Sequence, residues 1–136
     1  MSPLRTYIVE DSPLIRENLI ATLEELGPVE VVGSAEDEAS AVRWLAAPGN
    51  RADLVIVDIF LKGGSGLGVL RAAAKQPQRR RLVVLSNYAT EDMRHRCLDL
   101  GASRVFDKSN DIDALIAYCT ELAAGEAEQD RAVVLS

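Results

Sequence analysis

The stretch from Leu54 to Gly66 constrains the fold more than any other part of the sequence. Four apolar residues, Leu54 to Val57, run unbroken into Asp58, and three glycines follow within eight residues. A short, largely β-branched run is typical of a strand buried on both faces of a parallel sheet. Asp58 would then lie where the strand leaves the sheet, which is where open α/β sheets bind ligands. A carboxylate at this position can serve as a nucleophile, a metal ligand or a turn cap.

The rest of the chain repeats this alternation of short apolar runs with segments of helical periodicity. Strands are predicted at residues 6–9, 29–32, 54–57, 82–85 and 105–106, and helices at residues 13–26, 39–47, 67–75, 91–100 and from about residue 110 onward. Because the connecting loops are short, the strands must be parallel and joined by right-handed helical crossovers. The pattern predicts an α/β fold, a doubly wound five-stranded parallel sheet with five helices.

Residue types at the helix ends support these boundaries. Ser12 and Pro13 are typical of an N-cap and a first helical residue, and Gly27 is typical of a stop. Thr90 is predicted to cap a later helix and Gly101 to end it. The first helix is predicted to bury one apolar face, formed by Ile15, Leu19, Leu23 and Leu26.

The composition argues against several classes of protein. The chain has 136 residues and a formal net charge of -6, which works against binding a polyanion over the whole surface. The basic run Arg79 to Arg81 is therefore predicted to be a solvated loop, with no direct contact to nucleic acid. The sequence has no apolar run as long as a membrane span and no secretion signal, so we expect a cytoplasmic protein without membrane insertion. Cys97 and Cys119 are predicted to be reduced core residues.

The length fits one domain, which is predicted to comprise residues 1–125. After Gly125 the helical period is lost, because a polar segment is followed by a short apolar end. Residues 126–136 are therefore predicted to form a C-terminal tail, either a frayed terminus or a stub, with no output domain.

Polar residues follow four of the predicted strands at the point where each strand ends. In a parallel sheet these ends share one edge, so the following side chains should meet there: Glu10, Asp11, Asp58, Ser86 and Lys108. Three carboxylates against one ammonium leave an excess of two negative charges, which matches one divalent cation. Oxygen ligands without histidine or thiolate favour a hard ion, and the predicted cofactor is Mg²⁺. The single histidine, His95, is predicted to lie on a helix surface, which argues against zinc.

In combination, these residues resemble the receiver domain of bacterial two-component response regulators, in its single-domain chemotaxis-protein form. The resemblance covers residues 5–123. Its features are the acidic pair after the first strand, Asp58 after the third, the glycine loop, the hydroxyl of Ser86, and Phe106 two residues before Lys108. The resemblance implies a flavodoxin-like sheet with the strand order 2-1-3-4-5.

The resemblance also implies roles for individual residues. Asp58 would accept a phosphoryl group from a sensor histidine kinase or a histidine phosphotransfer protein. Asp11 would bind Mg²⁺ directly, Glu10 mainly through water, and the backbone carbonyl of Phe60 would complete the protein ligands together with Asp58. Lys108 and Ser86 would contact the phosphoryl oxygens, and Ser86 and Phe106 would form a switch. Such a domain catalyses its own phosphorylation and dephosphorylation and is not an enzyme with a separate substrate.

The signal would then reach a downstream protein target by contact, or the phosphoryl group would pass on in a phosphorelay. Whether two copies pair on activation is left open. Two departures from the family pattern concern the site. Ser109 follows Lys108, where the family usually has proline. Asn87, followed by Tyr88, stands directly after the switch hydroxyl, where the family often has a small residue. The first leaves open whether the Lys108–Ser109 bond is cis.

Three rival functions share parts of this pattern. A flavodoxin-like electron carrier would need a phosphate-cradling loop after the first strand, where Glu10 and Asp11 would repel phosphate. A haloacid-dehalogenase-type phosphatase would carry its nucleophile in an Asp-x-Asp pair at that place, which residues 9–13 lack. A degenerate receiver acting as an unphosphorylated interaction module would have lost the acceptor, a metal-binding acid or the lysine, and all are present.

Overall fold

The computed structural model describes residues 3–87 and 89–135, with side chains described up to residue 125. Five strands alternate with five helices. The strands are β1 (Leu4–Val9), β2 (Val29–Ala35), β3 (Leu54–Val57), β4 (Arg81–Ser86) and β5 (Arg104–Asp107). The helices are α1 (Pro13–Leu26), α2 (Glu38–Ala46), α3 (Gly66–Ala74), α4 (Glu91–Asp99) and α5 (Ile112–Leu135).

The strands form one parallel sheet in the order β2-β1-β3-β4-β5, which confirms the predicted fold class and strand order. Strand β3 lies at the centre, and all four of its residues are buried, as its unbroken apolar run predicted. Buried residues of α2, α3 and α4 pack on one face of the sheet, and those of α1 and α5 on the other. This two-sided burial leaves the ends of the strands as the accessible edges of the sheet.

The predicted helix caps are confirmed. The Ser12 side chain accepts a hydrogen bond from the N–H of Ile15, and the Thr90 side chain accepts one from the N–H of Met93. Gly101 follows the end of α4 with a φ of 109°, a left-handed conformation that favours glycine. These ends could be predicted because each depends on one residue and its nearest neighbours.

One prediction about a helix face is wrong, and one helix is longer than the period of its sequence indicates. Leu19 and Leu23 are buried, but Ile15 and Leu26 are 40% and 61% exposed, since they lie in the first and last turns of α1. Helix α5 continues past Gly125 to Leu135, although the helical period of the sequence is lost there. A glycine inside a helix costs only about 1 kcal/mol relative to alanine, which favourable neighbours can offset.

The basic run is only partly the solvated loop that was predicted. Arg79 and Arg81 are exposed, but Arg80 donates hydrogen bonds to the backbone carbonyls of Leu45 at 3.1 Å and Asn50 at 3.0 Å. Its guanidinium also lies 5.9 Å from the centroid of the Trp44 ring. The last carbonyls of a helix need donors from outside it, and Arg80 supplies one to the Leu45 carbonyl at the end of α2.

The predicted positions of the cysteines and the histidine are confirmed. Cys97 and Cys119 are free and buried, and burial raises the pKa of the Cys119 thiol to about 11. His95 is exposed on α4. Within the described part of the chain, no helix is both long and apolar enough to cross a membrane.

Candidate metal and phosphoryl site

The first strand delivers two carboxylates to the carboxyl edge of the sheet. Glu10 directly follows β1 and is only 2% exposed, although its side chain is charged. Its Oε2 accepts a hydrogen bond from the N–H of Ser12 at 3.1 Å, which holds the carboxylate at the start of α1. Asp11 is half-buried beside it, and its Oδ2 accepts the backbone N–H of Lys62 at 2.9 Å. Asp11 is therefore tied to the loop that follows the central strand.

The third strand delivers Asp58, which is 7% exposed. Its backbone N–H donates to the carbonyl of Val9 at 3.0 Å, so the residue is still fixed to the neighbouring strand. Its Oδ1 accepts the N–H of Phe60 at 3.2 Å. The loop then turns back, and Phe60 and Ser65 form an isolated antiparallel bridge across it. This closed loop sets where the Phe60 carbonyl lies relative to Asp58.

Lys108 directly follows β5 and lies at the same carboxyl edge of the sheet. Its ammonium donates to Asp58 Oδ2 at 2.7 Å and also pairs with Glu10 Oε1. Burial alone would lower the pKa of Lys108, but its hydrogen bonds to Asp58 and Glu10 and the charges of these two carboxylates outweigh burial and raise it. Lys108 is therefore a fixed positive charge between two buried carboxylates.

The donor set fits a hard divalent cation. One carboxylate oxygen each from Glu10, Asp11 and Asp58 lies within 4.8 Å of the others, and Lys108 is the ammonium that pairs with two of them. Carboxylate and carbonyl oxygens are the ligands that Mg²⁺ prefers in proteins. The residues that the sequence predicted for a metal site are brought together, and among the described residues they form a group that could hold one ion.

Ser86 ends β4 at the same edge. Its side chain is 1% exposed, and within the described part of the chain no partner lies within hydrogen-bond distance of its Oγ. A buried hydroxyl without a partner costs free energy, which a ligand carrying acceptor oxygens would recover. Ser86 Oγ is thus a buried hydroxyl that could donate to a ligand at this edge of the sheet.

Phe106 lies in β5 behind this edge and is buried, at 2% exposed. Its ring meets that of Tyr118 edge to face, with centroids 5.8 Å apart, and the Arg104 guanidinium lies 5.2 Å from the Phe106 centroid. The ring therefore occupies an inward packing. A switch between this packing and another one stays a prediction.

The two sequence departures can be placed in part. The Lys108–Ser109 peptide bond is trans, since the described residues contain no cis bond. Ser109 Oγ donates to Asn87 Oδ1 at 3.2 Å, which links the β5 and β4 ends beside the site. Tyr88 lies outside the described residues. The exposed ring of Phe60 stands on the β3 side of the site, half of its surface being accessible.

One residue that contacts this region was not singled out from the sequence. Glu38, the first residue of α2, accepts the backbone N–H of Ser65 through Oε1 at 2.8 Å. The contact joins residues 27 positions apart, and no periodic or capping pattern in the sequence links them. Only the short Gly-rich spacing of the loop hinted that something must pack closely against it.

Comparison with known proteins places the chain in a family. A model of the response regulator receiver domain matches residues 6–120. The chain belongs to this family of two-component signalling domains. The receiver is 34% identical over 109 residues to protein-glutamate methylesterase/protein-glutamine glutaminase 5 of Myxococcus xanthus, an alignment that covers 79% of this chain and 31% of that protein. It is 31% identical over 118 residues to the nitrate/nitrite response regulator protein NarP of Escherichia coli, covering 85% and 53% respectively.

Solved structures agree with the fold. A CheY-like response regulator receiver domain protein from Methanospirillum hungatei superposes with a TM-score of 0.77 at 25% identity, covering 93% of this chain and 99% of that one. The receiver domain of the putative response regulator NarL from Mycobacterium tuberculosis gives a TM-score of 0.75 at 24% identity, covering 88% and 98%. The chain spans between 30% and 56% of the length of the first curated relatives that it matches. Receiver domains are generally not classical enzymes, and the match to the methylesterase is confined to its receiver part.

Proposed function

We propose that this receiver accepts a phosphoryl group on Asp58 from a phosphohistidine of a sensor kinase or phosphotransfer protein, in a Mg²⁺-dependent reaction. The observation that carries the proposal is the setting of Asp58. It is a buried carboxylate with one oxygen on the Phe60 N–H and the other on Lys108, and it lies beside two further acids. A carboxylate held in this way is oriented for attack at a single approaching centre.

The transfer itself needs little from the protein beyond position and charge. A carboxylate oxygen of Asp58 forms a bond to phosphorus while the bond from phosphorus to the donor nitrogen breaks, and the electron pair leaves with the imidazole. Bound Mg²⁺, held by Glu10, Asp11, Asp58 and the Phe60 carbonyl, would neutralise charge on the transferring oxygens. Lys108 supplies a second positive charge there, and Ser86 Oγ can donate to a phosphoryl oxygen.

The test is the intact mass of the protein after incubation with acetyl phosphate and Mg²⁺. One phosphoryl adduct is expected in wild type, none in Asp58→Asn, and a wild-type yield in Asp53→Asn. The last variant is the matched control, because Asp53 precedes the same strand that Asp58 follows. Equal adduct in wild type and Asp58→Asn would overturn the assignment of the acceptor.

The switch proposed for Ser86 and Phe106 makes a separate prediction. A phosphoryl group offers the Ser86 hydroxyl, which has no hydrogen-bond partner among the described residues, a charge-assisted hydrogen bond worth about 1.5–3 kcal/mol, enough to bias two packings. Amide chemical shifts in α4, β5 and α5 should therefore move when the phosphoryl mimic beryllofluoride is added, and move much less in Ser86→Ala. Equal responses in both proteins would show that Ser86 does not relay the signal.

Partners follow from the same chemistry. The donor is a phosphohistidine protein, and the face formed by α4, β5 and α5 is the one proposed to contact a downstream protein target. A phosphorelay, in which the group passes on to a histidine phosphotransfer protein, uses the same acceptor. Transfer from the phosphorylated receiver to a purified phosphotransfer domain would distinguish the relay from a terminal output.

A further inference from the structure

The loop between β3 and α3 is held from outside the charged site by α2. We propose that Glu38 is a positioning residue, which completes the N-terminal cap of α3 from a different helix and thereby fixes the loop that carries the Phe60 carbonyl. The consequence for metal binding rests on the proposed function, whereas the cap itself does not.

The start of α3 lacks one half of a common capping arrangement. Ser65 is the N-cap, and its Oγ accepts the N–H of Leu67 at 3.1 Å. In a capping box, the residue at the third helical position is Glu or Gln, and its side chain accepts the N–H of the N-cap residue. The third helical position here is Gly68, which has no side chain. Glu38 Oε1 accepts the Ser65 N–H instead, at 2.8 Å.

The glycines around Glu38 provide the space for this contact. A methyl group on Gly68 would overlap the Glu38 carboxylate. The Glu38 carboxylate therefore occupies the space that a side chain at the third helical position would fill. Gly64 has a φ of 85°, and a methyl group there would also collide with the Glu38 side chain. The backbone adds a second attachment, because the Glu38 N–H donates to the Gly63 carbonyl at 2.9 Å. The carboxylate also lies at the positive end of the α3 dipole, which stabilises it there.

Fixing Ser65 fixes the rest of the loop. Ser65 bridges Phe60, the N–H of Gly66 donates to the Ile59 carbonyl at 2.9 Å, and the N–H of Lys62 donates to Asp11. Glu38 is thus connected to Asp58 through Ser65 and Phe60, and the same loop contacts Asp11 through the N–H of Lys62. Replacing a residue that orients metal ligands lowers the affinity for the metal, even where that residue does not contact the ion.

A purely structural cap makes a different prediction from a positioning residue. If Glu38 only stabilises α3, its removal lowers the free energy of unfolding but leaves the metal affinity of the folded protein unchanged. If it positions the loop, its removal also weakens Mg²⁺ binding. A glutamate at position 68 should then restore both the stability and the Mg²⁺ affinity, because it would complete the capping box within α3.

The experiment uses the full chain and four variants: Glu38→Ala, Gly68→Glu, the double variant, and Glu36→Ala. Glu36 is exposed and two residues away, so its variant controls for the loss of charge. Two quantities are measured for each: hydrogen exchange of the Ser65 amide, and the Kd for Mg²⁺ from a titration of backbone amide shifts.

In Glu38→Ala, the Ser65 amide should exchange at least about tenfold faster, since its acceptor is lost. Mg²⁺ affinity should fall about threefold to tenfold, less than for a group that contacts a ligand directly. Gly68→Glu alone should also be impaired, because the new side chain meets Glu38. The double variant should recover most of the protection and most of the affinity, and Glu36→Ala should match wild type.

Wild-type exchange and affinity in Glu38→Ala would overturn the proposal, and so would a double variant no better than its single parents. Faster exchange at Ser65 with unchanged Mg²⁺ affinity would reduce Glu38 to a structural cap and overturn its positioning role. If wild type bound no Mg²⁺, the proposed function would fail, and Ser65 exchange in the four variants would still decide the cap.

Discussion

Each end of the parallel sheet holds both acidic and basic side chains, but the two ends pair these charges in different ways. At the amino end, Arg5 pairs with Asp53 at 3.4 Å and Arg80 donates to two backbone carbonyls, so these charges have partners of their own. At the carboxyl end, Lys108 is shared between Glu10 and Asp58, and Asp11 adds a third carboxylate. At the carboxyl end three carboxylates face one ammonium, and this excess of negative charge is what a cation could neutralise.

Burial sharpens the contrast between the two ends. The side chains of Arg5 and Asp53 are 45% and 23% exposed, whereas those of Lys108 and Glu10 are 12% and 3% exposed. Solvent screens the first pair and barely reaches the second. Cavity size alone would not point to the carboxyl end. A cleft of about 750 Å³ lies at the amino end of the sheet, where both arginine and acidic side chains line it. The comparison teaches that an excess of buried charge points to the candidate site, whereas cavity volume does not.

The largest expected effect comes from removing the shared cation. Lys108→Ala leaves Glu10 and Asp58 buried without their ammonium, which should lower the free energy of unfolding by about 2–4 kcal/mol in the presence of EDTA. Mg²⁺ should recover part of this loss, because it binds only the folded carboxylate cluster.

The matched variant at the other end is Arg5→Ala. Its ion pair is exposed, so we expect a loss of no more than about 1 kcal/mol and no recovery by Mg²⁺. Chemical denaturation with and without Mg²⁺ measures both. Equal losses in the two variants would remove the energetic difference between the ends.

The next effect concerns the metal itself. Asp11→Ala removes a carboxylate from an open site of few ligands, and we expect Mg²⁺ affinity to fall at least about tenfold. Asp53→Ala should leave the affinity unchanged, although it removes the same charge from the chain. Isothermal titration gives both values, and undiminished binding in Asp11→Ala would place the ion elsewhere.

The smallest expected difference in stability is between two arginine variants at the amino end. Arg80→Ala removes the donors to the Leu45 and Asn50 carbonyls and the contact with Trp44, and should cost about 1–2 kcal/mol. Arg79→Ala, an exposed neighbour, should stay within about 0.5 kcal/mol of wild type. If the two variants are equally stable in denaturant, Arg80 is as solvated as the sequence suggested.

What the sequence predicted well depended on local signals or on topology. The caps at Ser12 and Thr90 need only neighbouring residues, and the meeting of Glu10, Asp58 and Lys108 follows once the strands are known to be parallel. Since every strand of such a sheet ends on the same side, the residues that follow the strands lie close together. The order of the strands came with the resemblance and is confirmed.

What the sequence could not predict depended on contacts between distant elements. Glu38 reaches Ser65 across 27 positions, and Arg80 reaches Leu45 across 35, where no periodicity connects the partners. Helix α5 continues to Leu135 although its sequence loses the helical period after Gly125, and Ile15 and Leu26 are exposed although they share the spacing of the buried Leu19 and Leu23. Such facts come from packing and need the assembled fold.

The most direct test of the central claim is a Mg²⁺ titration of the wild-type protein followed by backbone amide shifts at every described position. The account predicts saturable shifts at the carboxyl end of the sheet, centred on Asp11, Asp58 and Lys108, and none at Arg5 or Asp53. Shifts of equal size at both ends, or shifts that leave Asp11 and Asp58 unmoved, would contradict it.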